Sequence, residues 1–325
     1  MEPLVSVIIP AYNQADLVIE AIESVLAQRY PRDRMEVIVV DDGSTDGTGR
    51  VVKAFGEGIR YHYQENAGKA AATSAALELV NGVYTLNLDP DDMFLPDKIG
   101  KVVRVFEDHP EVVHVGHSVI YWDPVKGTRR EEHMPEQLLG QVLGGQACLK
   151  AYLADNCFYG GGSSFAARSD SLKGIPFYEG IGFNVDAYMV FSLMNAGDSF
   201  YLKEPLSFYR LHPGSYSGRL PRDRAVMDME AARSIYDGML AQGVPDDLAA
   251  LLEFRWNLAE LRLKGLEGEK RLVDIAGLWK KVMDTAGTAD IDPIRLIKGY
   301  DVIKRSFPQR LVDLVRSLRT ERGGR

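Results

Sequence analysis

The chain's richest chemistry is concentrated in Asp89-Pro90-Asp91-Asp92, three carboxylates around a proline that directly follow the apolar run Leu86-Asn87-Leu88. Pro90 biases Asp89 toward extended backbone. Side chains two apart on an extended chain share a side, so Asp89 and Asp91 converge while Asp92 points elsewhere. Two converging carboxylates suit a hard divalent cation, above all one that also holds phosphate oxygens and water. Without a cation they would repel each other and raise one pKa. A solvated acidic turn is the competing reading, and an apolar strand running straight into the triplet speaks against it.

Five other segments invite the same scrutiny. In Asp41-Asp42-Gly43-Ser44-Thr45-Asp46 the two leading carboxylates alternate sides, so only one faces a given cleft, where it would accept hydrogen bonds from a base or ribose. Ser44, Thr45 and Asp46 fit better as caps of the next helix. Pro10-Ala11-Tyr12-Asn13 ends an apolar run with an aromatic ring that either stacks on a flat ligand or lids the core. Asn66-Ala67-Gly68-Lys69 opens an Ala-rich segment, and free helix-start amides plus a lysine attract anions. The plainer alternative is a capped helix with a solvated lysine. Farther on, Asp186 heads an apolar stretch as either a cap or a base, and Tyr209-Arg210-Leu211-His212 closes a Gly- and aromatic-rich region.

These motifs need a scaffold that brings strand ends together. β-Branched runs at 4–9, 35–40, 59–64, 83–88 and 112–120 alternate with amphipathic stretches at 15–28, 46–55, 68–80 and 95–107. Such alternation predicts βα units with a mostly parallel sheet, in which ligands gather at the carboxyl ends of strands. Residues 140–217 lose clear periodicity, as loops around a site would. Past residue 217 the spacing is helical only, over 224–241, 246–265, 269–284 and 311–319. We therefore expect an α/β unit over 1–217, with ligand-gathering strand ends in 1–120 and loops around a site in 121–217, followed by an α-helical unit over 218–325.

Composition narrows the functions. At 46% hydrophobic and 26% charged, the 325-residue chain is globular, and no apolar run has the length of a membrane span. The first residues carry no secretion signal, so a cytoplasmic location is the expectation. A net charge of −8 argues against nucleic acid as partner. Cys148 and Cys157 lack the number and spacing of a zinc site and read as buried thiols. Neither a dinucleotide glycine fingerprint nor a phosphate loop follows the first strand. Residues 294–325 hold nine Lys or Arg against three Asp or Glu. There Leu311, Leu314, Val315 and Leu318 line one helical face, so this basic amphipathic helix either rests on an anionic membrane or, the preferred reading, packs on its neighbours.

Taken in order, Pro10-Ala11-Tyr12-Asn13, Asp41 to Asp46, Asn66-x-Gly68, Asp89-x-Asp91-Asp92 and Tyr209-Arg210-x-His212 resemble glycosyltransferase family 2 over residues 4 to 215. The resemblance implies the GT-A fold and transfer of a sugar, with inversion, from a nucleotide diphosphate sugar, by analogy a UDP-sugar, aided by Mg²⁺ or Mn²⁺. It implies that Tyr12 and Asp42 hold the base with Asp41 nearby, and that Pro10, Ala11, Asn66, Gly68, Lys69 and Pro90 complete the donor site. Asp89 and Asp91 would touch ribose and metal, His212 metal or phosphate, and Asp186 would be the base. The acceptor would be a glycan or lipid-linked glycan, as in cell-surface polysaccharide synthesis. Processive synthases of the family carry Gln-x-x-Arg-Trp; here Arg255-Trp256 follows Leu252, so single-sugar transfer is expected. A non-catalytic nucleotide-sugar-binding relative and a sugar-nucleotide nucleotidyltransferase are the alternatives, the latter lacking its Gly-rich loop.

Overall fold

A computed structural model describes residues 2–155, 161–177, 180–182, 184–266, 280, 281 and 284. In chain order the elements are β1 (Val5–Ala11), α1 (Val18–Leu26), β2 (Met35–Asp42), α2 (Thr48–Lys53), β3 (Arg60–Gln64), α3 (Lys69–Glu78), β4 (Tyr84–Asn87), β5 (Met93–Phe94) and α4 (Lys98–Asp108). There follow β6 (Val112–Asp123), β7 (Thr128–Glu131), β8 (Val142–Leu143), α5 (Gly145–Asp155), β9 (Phe165–Arg168), α6 (Ser169–Lys173), α7 (Val185–Ala196), β10 (Asp198–Arg210), α8 (Pro221–Ala241) and α9 (Asp246–Leu266).

One sheet runs in the order β3-β2-β1-β4-β9-β6-β10-β5. β1 pairs in parallel with both β2 and β4, so the strand order reverses around it and a crevice opens beyond its carboxyl end. Every residue of β1 is buried, as a parallel strand covered on both faces must be. Val5, Val7 and Ile9 join the core beneath α1 and α4, whereas Ile8 faces the core beneath α3 and α7. In α1 the buried Val18, Ala21, Ile22 and Val25 form the expected helical stripe. At the outer position, β3 carries Arg60, His62 and Tyr63 exposed, which protects an edge strand from pairing with other chains.

The five expected strands and four expected helices of the first half are all present, and the sheet-plus-helices architecture is the expected α/β class. The region without clear periodicity, 140–217, is more regular than its sequence suggests: it contributes α5, β9, α6, α7 and β10. β9 lies antiparallel between β4 and β6, so the sheet is mixed there. The end of β10, Ser207 to Arg210, is strand-like in sequence, but the rest evades pattern reading because charged residues and Pro205 interrupt it, and its register against β6 shifts between Leu202 and Ser207, where Pro205 cannot donate to the ladder.

α8 and α9 match the first two of the four helices expected beyond residue 217, and the core under α5 and α7 continues into them through Ile235, Met239, Leu248 and Leu251. Cys148 is a buried thiol whose pKa burial pushes up to about 12. Cys157, the helix 311–319 and most of 269–284 lie outside the described residues. Among the described residues no helix is long and apolar enough to cross a membrane.

Candidate active site

The turns after β1 and β2 are stitched together, in part by side chains that read as caps in the sequence. Asn13, at φ 52°, accepts the Thr45 amide with its Oδ1 and donates its own amide to Ser44 Oγ. Asp46 accepts the amides of Ala15 and Thr48. Gly43 has φ +76°, and a Cβ there would stand 2.6 Å from the Asn66 amide nitrogen, so glycine lets the ends of β2 and β3 approach. Ser44 and Asp46 thus act structurally, fixing where Tyr12 and the carboxylates of β2 sit.

Asp41 and Asp42 take opposite sides, as alternation requires. Asp41 is buried, accepting the Ser44 amide at 2.8 Å and the Tyr61 hydroxyl at 2.7 Å. Asp42 borders the cavity and accepts Gln64 Nε2 at 2.7 Å together with the amides of Ala67 and Gly68, each at 2.9 Å. The amides opening α3 therefore already hold an anion, the protein's own Asp42. Lys69 turns inward instead of to solvent: its Nζ lies 2.9 Å from Asp89 Oδ1. Burial by itself would lower the Lys69 pKa, but the charges of Asp89, Asp186 and Asp91 outweigh burial and raise it.

The acidic turn after β4 is held from below. Asp89 donates its amide to Ser163 Oγ at 2.9 Å, and Gly162 packs so closely that a Cβ would meet both Asp89 carboxylate oxygens at 2.6 Å. Asp92 is buried and accepts the Arg210 amide at 2.9 Å. The Arg210 guanidinium donates to the Asp91 carbonyl at 3.0 Å and to Glu20 at 2.8 Å, so β10 clasps the turn from outside. Burial raises the pKa of Asp89, the charges of Asp186 and Asp91 add to it, and Lys69 offsets only part of the rise. Asp91 Oδ2 meets His212 Nε2 at 2.9 Å.

A cavity of about 780 Å³ joins these parts. Pro10, Ala11, Tyr12, Asp42, Asn66, Gly68, Lys69, Asp89, Pro90, Asp91 and Asp186 all line it; Asp41 and His212 stand behind the lining. Tyr12 is exposed, a free aromatic face at the end of β1. Asp186, in the first turn of α7, accepts the Ala187 amide with Oδ1. Its charge contributes to the shifts of Lys69 and Asp89, which ties the head of α7 electrostatically to the acidic turn. Among the described residues no three acidic, histidine or cysteine side chains gather closely enough to hold a metal on their own. The incompletely neutralised, oxygen-only pair Asp89 and Asp91 nonetheless suits a hard cation whose other ligands come from substrate and water.

Sequence reasoning missed three supports. Gly162 and Ser163 cradle Asp89, with the glycine run at 160–162 as the only signal. Lys98, within an expected helix, is fully buried, donating to the Ser163 carbonyl at 2.7 Å and lying over the Phe94 ring. Finally, α8 and α9 close the cavity with Asp228, Arg255 and Arg262, beside Tyr216 and Arg219.

Known proteins resemble this chain in sequence and in fold. The model of glycosyl transferase family 2 matches residues 6–173, half of the chain. An uncharacterized glycosyltransferase of Rickettsia typhi is 38% identical over 121 residues, 36% of this chain and 37% of that protein. The putative teichuronic acid biosynthesis glycosyltransferase TuaG of Bacillus subtilis is 38% identical over 144 residues, 42% of this chain and 55% of TuaG. The matched segment thus spans only about a third to a half of these relatives. S. aureus TarS (1–349) in complex with UDP-GlcNAc superposes with a TM-score of 0.63 at 18% identity, over 88% of this chain and 81% of that one. Mannosyltransferase PcManGT of Pyrobaculum calidifontis, in complex with GDP-Man and Mn²⁺, gives 0.53 at 20% identity over 91% and 86%. The sheet reversal at β1, the acidic turn after β4 and the extent of the family match lead to one conclusion: this chain has the GT-A fold and belongs to glycosyl transferase family 2.

Proposed function

We propose that the protein is an inverting glycosyltransferase that moves a single sugar from a nucleotide diphosphate sugar, a UDP-sugar in our reading, to a hydroxyl of a glycan or lipid-linked acceptor. The observation that carries this reading is the convergence of Tyr12, Asp42, Lys69, Asp89, Asp91 and Asp186 on one cavity at the carboxyl ends of β1, β2 and β4. Tyr12 offers a stacking face for the base, and Asp42, with acceptor capacity left on Oδ2, orients it.

Asp89 and Asp91, with His212 at hand, would hold Mg²⁺ or Mn²⁺, which supplies positive charge against the departing diphosphate. Lys69 adds a cation beside the same turn. Asp186 takes the proton of the acceptor hydroxyl as its oxygen bonds to the anomeric carbon. The bond from that carbon to the diphosphate oxygen breaks, its electron pair leaves with the nucleotide, and attack opposite the leaving group inverts the centre. Burial of Asp92 and the clasp of Arg210 keep the turn from moving during this exchange.

A panel of nucleotide sugars with Mn²⁺ tests the reading by thermal shift and by release of free nucleotide. One donor should raise the melting temperature and be slowly hydrolysed, with hydrolysis removed by a chelator and by Asp91→Asn. Failure of every nucleotide sugar to bind would overturn the proposal. Binding without any turnover would instead favour a nucleotide-sugar-binding relative.

A further inference from the structure

Lys98 is a fully buried cation to which the proposed chemistry gives no part. It stands on the inward stripe of α4 with Val102 and Val105, at spacings of four and three, where an apolar side chain would suit the core. Its ammonium is carried beneath the acidic turn at a cost: burial pulls its pKa well below the usual lysine range, and the charge of Asp92 opposes that pull. A lysine kept in such a place is explained by what its head group holds. Nζ donates to the Ser163 carbonyl at 2.7 Å and to Ser207 Oγ at 3.3 Å, and Ser207 Oγ donates to the same carbonyl at 2.7 Å. Both serines are buried, and the Phe94 ring, its centroid 3.6 Å from Nζ, closes a further side. This triangle of hydrogen bonds joins α4 and β10 to the turn at Gly162 and Ser163. On the other side of that turn, Ser163 Oγ accepts the Asp89 amide at 2.9 Å, and Gly162 stands too close to the Asp89 carboxylate for any Cβ. The far end of the acidic turn is held by the Arg210 amide on Asp92, so β10 reaches both ends, through Ser207 and through Arg210.

We propose that Lys98 is a positioning residue for the transfer reaction: by pinning the Ser163 carbonyl it keeps Gly162 against the Asp89 carboxylate and so holds that carboxylate ready for the cation. This inference rests on the glycosyltransferase reading and extends it to a residue that, being fully buried, meets neither donor nor cation. The Asp89 carboxylate has a competing partner, since Lys69 Nζ lies 2.9 Å from its Oδ1. If the Gly162 turn recedes, the carboxylate is released to follow Lys69, and the cation loses one of the two protein carboxylates that suit it. Groups behind a metal ligand that fix its orientation are worth about 10- to 100-fold in affinity. A charged donor serves better here than a hydroxyl alone, because a charge-assisted hydrogen bond is shorter and stronger than a neutral one. Without Lys98 the Ser163 carbonyl keeps the neutral Ser207 hydroxyl, so the turn loosens without losing every donor.

Mn²⁺ binding to the UDP complex of the full chain tests this, followed by the paramagnetic resonance of free Mn²⁺, with metal-free UDP calorimetry and a thermal melt beside it. Lys98→Met fills nearly the same core space without the head group. It should weaken Mn²⁺ binding about tenfold or more and leave the metal-free UDP Kd within twofold. In donor hydrolysis at saturating Mn²⁺ it should lower kcat about tenfold while KM stays within about threefold. A lysine that served the core alone would, on substitution, lower the melting temperature and leave the Mn²⁺ Kd of the folded protein in place. That result, or a parallel loss of UDP and Mn²⁺ affinity, would overturn the proposal. Ser207→Ala takes one donor from the same carbonyl and no charge from the core, and it should weaken Mn²⁺ binding several-fold. It decides the matter if Lys98→Met does not fold: an unchanged Mn²⁺ Kd in Ser207→Ala would then end the inference. Should the unaltered protein with UDP take up no Mn²⁺, the cation of the proposed function fails and this inference with it. Mn²⁺ uptake that neither variant weakens would sink this inference alone.

Discussion

The two walls of the cavity are built on opposite principles. At the strand ends and the head of α7, Asp42, Asp89, Asp91 and Asp186 face one lysine, and each acidic turn is pinned by backbone amides, a buried serine or an arginine clasp. On the helical side Arg219 precedes α8, and Asp228, Arg255 and Arg262 stand on helix faces with Ala232 and Ala259 between them. The first wall holds fixed groups in a crowded, partly desolvated place, where displacement by a fraction of an ångström matters. The second is roomier and presents long side chains that adapt. One wall is suited to a shared chemical step and the other to choosing a partner, and substitutions should separate them.

The largest effect is expected on the acidic wall. Asp186→Asn and Asp91→Asn should each lower kcat by about 10³-fold or more, because one removes the proton acceptor and the other the charge that suits a cation. Melting temperatures should barely change, and kcat values close to the unaltered enzyme's would end the assignment of chemistry to this wall. Gly162→Ala comes next: its Cβ would push on the Asp89 carboxylate, and we expect about 10²-fold loss of kcat/KM with little unfolding in a thermal melt. Full activity would mean that Asp89 need not stay where it is held. Tyr12→Ala should raise the donor KM about tenfold and Tyr12→Phe hardly at all, a stacking effect measurable by initial rates.

The mildest test perturbs the sheet behind both walls together. His114 is buried between Phe165 and Tyr201, and burial pulls its pKa from 6.5 to about 3; His117 is depressed in the same way. Unfolded, such histidines take up protons below about pH 6.5, while the folded chain holds them neutral. The contribution of His114 to stability is therefore intact above that pH and lost as pH falls from 6.5 towards 3, by up to ~1.4 kcal/mol per unit, and that of His117 changes in the same direction. Urea titrations from pH 7 to 5 should show the decline, and His114→Gln should flatten it. Parallel pH curves for the two proteins would show that His114 takes no part.

Much of the acidic wall was legible because each motif is contiguous and follows a β-branched run. Asp89 and Asp91 do reach one cavity, through a turn in which the Asp92 amide donates to the Asp89 carbonyl and not through extended alternation, and the second β-branched run leads into the acidic pair Asp41-Asp42 as expected. What escaped depends on distant pairing. Nothing local in Leu95-Pro96-Asp97-Lys98 says that a lysine will be fully buried under Ser163, sixty-five positions on. β10 hid behind its charges and Pro205. Arg255 and Leu252 were weighed against a synthase motif as a string, whereas their part in the cavity comes from α9 packing next to α8, which no single helix reveals.

The clasp between Arg210 and the acidic turn joins positions 118 apart. During synthesis Asp92 is made long before its partner leaves the ribosome, so the turn stays unsealed until β10 has paired with β6. A fragment ending where the family model ends, at Lys173, would contain the cavity residues of β1 to β4 and still lack the strand that clasps the acidic turn. The half matched by the family model is consequently not a detachable module. Any chimera that grafts it onto a foreign tail must bring along the strand that closes it.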